Sequence, residues 1–178
     1  MVTIPKNSRE KFSYLLREII SNSIHAVLIR ENKESNFIPK INLKIFIDDD
    51  KCEIELRDNG DGFTEINSKY FEDLDKRNPD KEKMNFHPLG QGRLAIVYFT
   101  DSANYETVYK DINGSYKKRI IPYPYSKSEI FGFDLFSEMS TEENDSYTLL
   151  KIDISKQNSF KRAKTFFKNC LDVNSFKR

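Results

Sequence analysis

The chain has 178 residues, of which 38% are hydrophobic and 32% charged, enough apolar content for one domain with a buried core and too much for a disordered chain. A net charge of +1 gives no global reason to expect nucleic acid or an anionic membrane surface as partner, although a local basic patch is compatible with it. No run is long and apolar enough to span a bilayer, the N-terminus lacks the apolar centre of a signal peptide, and Cys52 and Cys170 have no companion at metal spacing, so a reduced, cytoplasmic setting is expected.

Asn7 followed by Glu10 reads as a capping box, with Pro5 just outside it. The helix it opens is predicted to run to about Arg30. Phe12, Leu15, Leu16, Ile19, Ser23 and Val27 follow its period and form a buried stripe. Glu18, Asn22 and Ala26 are four apart and stack along one line beside that stripe. A carboxylate there can take a proton from water, and a carboxamide oxygen can bind a hard cation such as Mg²⁺. The same residues equally suit the solvated margin of an ordinary helix.

Ile41–Ile47 alternates, Asp48–Asp50 reads as a turn, and Cys52–Arg57 alternates again. This predicts an antiparallel hairpin with one buried face. Parity then places Asp58 on the inward set of Cys52, Ile54 and Leu56. A carboxylate at the end of a buried face is costly unless something bonds to it. Asn59–Gly60–Asp61–Gly62–Phe63 follows. Its two glycines suit either a plain turn or a close approach of backbone to a ligand.

Thr64–Leu89 is polar and irregular, apart from a short helix predicted at Tyr70–Leu74, and carries Lys76, Arg77, Asn78, Pro79, Lys81 and Lys83. A segment of this kind reads as a lid or an inert loop. Gly90–Gln91–Gly92–Arg93 then leads into the apolar run Leu94–Phe99. A glycine turn entering a helix offers N–H groups to phosphate, and Arg93 would add a charge. The dinucleotide and P-loop fingerprints are absent. Strands are predicted at Tyr105–Tyr109 and Tyr116–Ile121 around Asn113–Gly114, then at Ile130–Phe136 and Tyr147–Ile154, with a break at Pro122–Tyr125. A closing helix is predicted at Phe160–Leu171. The order suggests an α+β fold with helices layered on one face of the sheet.

Three motifs therefore stand in order: Glu18-x-x-x-Asn22-x-x-x-Ala26, Asp58-x-Gly60-x-Gly62 and Gly90-x-Gly92. Together they resemble the GHKL ATPase superfamily of type II topoisomerase ATPase subunits, large heat-shock chaperones, sensor histidine kinases and mismatch-repair ATPases. The run Leu16–Ser23 is most similar to the chaperone version. The resemblance implies a two-layer α/β sandwich over residues 1–178. Its sheet would be mixed, mainly antiparallel and covered on one face by helices, with an ATP lid at about 64–92. It also implies that the chain is the N-terminal module of a larger protein.

By the same resemblance Glu18 is the catalytic residue that polarises the attacking water, and Asn22 binds Mg²⁺. Asp58 accepts from the adenine amino group. Gly60 and Gly62 allow close approach, with Ala26 and Phe63 completing that side of the site. Gly90, Gln91, Gly92 and Arg93 meet the phosphates, and Thr148 stands where the family often has a Gly-Thr pair near adenine. The implied activity is Mg²⁺-dependent ATP binding and slow hydrolysis, driving lid closure and nucleotide-dependent homodimerisation. The alternatives are a histidine kinase catalytic domain and a non-hydrolysing nucleotide sensor. Two departures stand out: His25 replaces a common acidic residue, and the third motif has only two glycines. Whether the client is a protein or nucleic acid is left open.

Overall fold

The structure is a computed structural model and describes residues 8–72, 78–86, 94–100, 102–123, 137–154 and 157–171. Helix α1 covers Ser8–Glu31. Phe12, Leu15, Ile19, Ser23 and Val27 are its buried line, while Leu16 is only partly buried at the edge of the core. Strands β1 (Ile41–Ile47) and β2 (Cys52–Asp58) form the expected hairpin. Its turn is held by Asp48 Oδ1, which accepts from the N–H groups of Asp50 and Lys51 at 2.9 and 2.7 Å.

Next come α2 (Glu65–Glu72), α3 (Pro79–Lys83) and α4 (Leu94–Phe99). Strands β3 (Ser102–Lys110), β4 (Tyr116–Tyr123), β5 (Ser137–Ser140) and β6 (Tyr147–Asp153) follow, and α5 (Gln157–Leu171) closes the order. The strands form one six-stranded sheet in the order β1-β2-β6-β3-β4-β5. Every described pairing is antiparallel, so the parallel component allowed by the expected mixed sheet is not seen among the described residues. The late strand β6 returns to the middle of the sheet, between β2 and β3.

One face of the sheet carries the core. Ile54 and Leu56 of β2, Leu150 and Ile152 of β6, and Tyr105 of β3 are buried with Phe12, Leu15 and Ile19 of α1, Ile96 and Phe99 of α4, and Ala163 and Phe167 of α5. Phe12 meets Phe99 and Phe167 edge to face, at centroid separations of 5.9 and 5.1 Å. Each such apolar side chain contributes roughly 1.5–3 kcal/mol by leaving water, which fixes α1 flat on β2. The opposite parity, with Glu53, Glu55 and Lys151, stays exposed or half-buried.

Two predicted segments differ. Thr64–Leu89 is more regular than expected, since α2 starts at Glu65 and α3 forms at Pro79. Thr64 caps the first by accepting from Asn67 N–H at 3.1 Å, and Asn78 caps the second by accepting from Asp80 N–H at 2.9 Å. Strand β4 also continues through Pro122, which pairs with Asn104 of β3, while the described β5 pairing covers Lys117–Ile120. The strand predicted at Ile130–Phe136 lies outside the described residues.

Candidate nucleotide site

Register lines up one polar row across the helix-facing side of the sheet. Asp58 of β2 pairs with Thr148 of β6, Thr148 with Thr107 of β3, Thr107 with Arg119 of β4, and Arg119 with Glu138 of β5. Asp58, Thr107 and Arg119 are buried, and each answers to a group on the helical side. Ser23 Oγ of α1 donates to Asp58 Oδ2 at 2.8 Å, and Gly60 N–H donates to Asp58 Oδ1 at 3.0 Å. Thr107 Oγ1 accepts from Phe63 N–H at 3.0 Å and donates to the Tyr147 carbonyl at 2.8 Å. Arg119 Nη1 donates to Ser68 Oγ of α2 at 2.7 Å and to the Phe63 carbonyl at 3.1 Å.

Asp58 is 4% exposed, and burial pushes its carboxyl up to about 6 against the pull of its two hydrogen bonds. An ionised carboxylate has about four lone-pair directions, so two bonds leave it able to accept from a further donor.

The turn after Asp58 is pinned on every side. Asn59 Oδ1 accepts from Lys40 N–H at 2.7 Å, and its amide nitrogen donates to the Ile38 carbonyl at 3.0 Å. Buried Arg30, near the end of α1, donates to the Asn59 carbonyl at 2.9 Å and to Asp145 Oδ1 at 2.7 Å. Gly60 lies so close to α1 that a Cβ there would sit 2.7 Å from the Ala26 Cβ. Gly62 has φ +72°, and a Cβ there would sit 2.4 Å from the Val108 carbonyl oxygen. The ring of Phe63 turns into the core between α2 and β3, 4.7 Å from Phe71 and 5.3 Å from Tyr105. Only its backbone shares the turn.

Along α1, Ala26 touches the turn, Asn22 comes one turn earlier and Glu18 one turn before that. Eight residues at 1.5 Å each put about 12 Å between the Ala26 and Glu18 ends of this line. Glu18 Oε1 is held by the guanidinium of its neighbour Arg17 at 2.8 Å. Asn22 Oδ1 accepts from Lys81 Nζ of α3 at 3.0 Å. Lys81 is half-buried, and burial lowers its ammonium to about 8 against the opposing charge of Glu18. His25 stacks on Phe86 with ring centroids 4.0 Å apart. Burial, with Lys81 adding to it, lowers this imidazole to about 4, and its Nδ1 is buried without a partner among the described residues.

Ala26, Asp58, Gly60, Gly62 and Thr148 lie together around the turn, while Asn22 and Glu18 follow along α1 away from it. Gly90, Gln91, Gly92 and Arg93 lie outside the described residues. Three contributors are absent from the sequence reading of the site. Ser23 was legible only as a core position, although a hydroxyl in a buried stripe asks for a partner. Thr107 sits inward between two buried tyrosines, the same kind of signal. Lys81 depends on the docking of α3, which no local pattern gives. Among the described residues no three His, Cys, Asp or Glu side chains gather as a metal cluster.

Solved structures match this architecture. The ATPase region of Saccharomyces cerevisiae topoisomerase II aligns with a TM-score of 0.55 at 19% identity, covering 83% of this chain and 38% of that one. The same region bound to ICRF-187 (dexrazoxane) gives 0.51 at 18% identity, with the same coverage of both chains. The chain shares the fold of that ATPase region. It spans little more than a third of the topoisomerase region it matches. No protein-family model and no curated protein sequence matches it. The likeness is therefore one of fold. No helix among the described residues is long and apolar enough to cross a membrane.

Proposed function

We propose that the chain binds ATP with Mg²⁺ and hydrolyses it slowly. The observation that carries this reading is Asp58, a buried carboxylate with accepting capacity to spare, set beside a helix that Gly60 lets come within contact distance. A purine amino group supplies the donor that such a carboxylate lacks. Thr148 is its neighbour in register on β6 and lies on the same face. Asn22 fits a Mg²⁺ ion that takes most of its other ligands from phosphate and water. When bound, that ion neutralises and orients the phosphates. Glu18, one turn away, is placed to orient water and accept its proton once Arg17 lets go of it.

Gly90–Gly92, Gln91 and Arg93 extend the site as phosphate contacts in this reading, with residues 64–92 as the lid. Lid closure then promotes pairing of two copies, in a larger protein of which residues 1–178 are one domain. The Leu16–Ser23 run favours a chaperone-like helix within a fold shared with a topoisomerase. A non-hydrolysing sensor is the second reading, favoured by one observation: Glu18 Oε1 accepts from both Nε and Nη2 of Arg17. The histidine kinase reading finds no help from His25, which is stacked under Phe86 and neutral at physiological pH.

Calorimetry with a non-hydrolysable ATP analogue and with adenosine, each with and without Mg²⁺, tests the proposal. Binding of both compounds, with Mg²⁺ tightening only the triphosphate, is the expected result. Binding of neither defeats it, and an equal effect of Mg²⁺ on both removes Asn22 as a metal ligand.

A further inference from the structure

The two edges of the described sheet differ. Strand β5 is short, and its Glu138 is held by Arg119 and Lys117 at 2.6 and 3.1 Å. Strand β1 is 7 residues long, contains no proline and carries one charged side chain, Lys44. Among the described residues it pairs only with β2. Ile41 and Leu43 are 38% exposed and Phe46 is 51% exposed. A long, apolar edge with unpaired main-chain groups is a template for another strand.

The phase of that edge is set by the hairpin. The Lys40 carbonyl accepts from Asn59 N–H at 3.2 Å, and Asp48 N–H donates to the Lys51 carbonyl at 3.0 Å. The even-numbered residues of β1 therefore turn their main-chain groups to β2, and Ile41, Leu43, Ile45 and Ile47 turn theirs to the open side. The side chains of these four lie on the helix-facing side, where Leu43 and Ile45 stand opposite buried Leu56 and Ile54. Asn42, Lys44 and Phe46 lie on the other face.

We infer that β1 is a self-association edge whose occupant is β1 of a second copy, antiparallel about a twofold axis at Ile45. It requires no nucleotide and does not rest on the nucleotide reading. The edge is self-complementary in this register. Leu43 faces Ile47 of the second copy and Ile45 faces its own counterpart, so the apolar row continues from sheet to sheet. Lys44 faces the ring of Phe46, a cation against an aromatic. Lys40, just ahead of the strand, comes beside the acidic Asp48–Asp50 turn. Every contact is made twice by symmetry. A register centred on Lys44 sets two lysines face to face, and one centred on Phe46 leaves only Ile45–Ile47 paired. A register centred on Leu43 takes Lys40 away from the acidic turn.

Sedimentation velocity of the nucleotide-free chain across the micromolar range is the test, and a reversible monomer–dimer equilibrium is the expected result. Phe46→Lys sets like charges opposite each other, and Leu43→Lys puts a charge into the apolar row. Each change counts twice in the dimer and is expected to weaken association by about tenfold or more. Both positions are exposed, so the melting temperature of the dilute monomer should stay near that of wild type. Ile45→Cys, treated with oxidised glutathione, is expected to form a disulfide-linked dimer, because the two copies of position 45 stand directly opposite. Lys44→Cys and the wild type, which already has Cys52 and Cys170, should not. A wild type that stays monomeric throughout overturns the inference and leaves the edge to a different chain. A dimer indifferent to both lysines also overturns it, since that dimer uses another surface. Cross-linking through Lys44→Cys in place of Ile45→Cys overturns the proposed pairing.

Discussion

Ser23 and Asp58 meet at 2.8 Å, hydroxyl to carboxylate, across the seam between α1 and the end of β2. That bond and Gly60 N–H do not fully compensate the burial of the charge, because the Asp58 carboxyl stays up at about 6 against an ordinary value of 3.8. The folded state therefore holds the ionised form at a cost. The cost is complete above pH 6, shrinks as pH falls, and is gone below 3.8, where folded and unfolded chains are both protonated. A shift of this size is worth roughly 2–3 kcal/mol at neutral pH. Asp58→Asn keeps the shape, removes the charge and is expected to stabilise the fold at pH 7.5 by up to about 2 kcal/mol. In the proposed reading the same change removes the acceptor for an adenine amine and should abolish adenosine binding. Melting curves and calorimetry on one preparation check both halves, and lower stability with binding intact would show that the carboxylate serves the fold instead.

His25 and Asp58 titrate against each other. The imidazole lies at about 4 in the folded chain, below its usual 6.5, so its contribution to stability is full above 6.5 and is lost as pH falls toward 4. Asp58 contributes the other way, since stability is recovered as pH falls from 6 toward 3.8. Between pH 4 and 6 the two slopes oppose. Asp58→Asn is expected to expose the histidine slope, so its stability advantage over wild type shrinks on acidification. His25→Phe, which keeps a ring against Phe86, should gain relative to wild type over the same range. Urea unfolding at pH 4.5 and 6.5 measures both differences, and parallel curves for all three proteins would remove the opposition.

Much of this was legible because period and parity are local. The stripe of α1 predicted its buried face, and alternation from Cys52 to Leu56 carried Asp58 inward before any partner was known. The partner itself was not legible, since Ser23 reads as a core residue until α1 is laid on β2. Helix α3 had a signal, Asn78 before Pro79, that a polar and charged context obscured. The ring of Phe63 packs against Phe71 and Tyr105, a contact that depends on how α2 lies on β3. Lys81–Asn22 and Arg119–Glu138 are tertiary bonds, and no single-chain pattern encodes them.

Gly60 and Gly62 of the turn and Gly114 between β3 and β4 differ in what they protect, and alanine substitutions should rank accordingly. Gly114 has φ +84° but only Lys110 Cε nearby, at 3.7 Å, so alanine there costs backbone strain alone, about 1–2 kcal/mol. Gly60 has no such strain but faces Ala26, with the helix backbone at 3.0 Å, and α1 cannot retreat without opening the core. Gly60→Ala is expected to cost about 2–3 kcal/mol and to weaken nucleotide binding. Gly62 combines positive φ with a Val108 carbonyl at 2.4 Å and should be the most damaging of the three. Denaturant midpoints settle the order, and a harmless Gly60→Ala would mean that the close approach to Ala26 is not required.

Glu18 separates hydrolysis from binding. It contacts Arg17, and its place along α1 is one turn beyond Asn22, away from Asp58. Removing it leaves Asp58 and Asn22 untouched, so Glu18→Ala should retain affinity for a non-hydrolysable ATP analogue within about threefold. Phosphate release should fall by roughly 10² or more, the usual contribution of a positioned general base. Arg17→Ala frees the carboxylate from its neighbour and is expected to raise release above wild type, because a guanidinium held on Glu18 competes with water for the same oxygen. The pair of variants discriminates between the two readings of this site. Opposite effects identify Glu18 as the residue that activates water, with Arg17 as its restraint. Equal and negligible release from wild type and both variants, with nucleotide still bound, would make the chain a sensor whose carboxylate is a salt-bridge partner and nothing more.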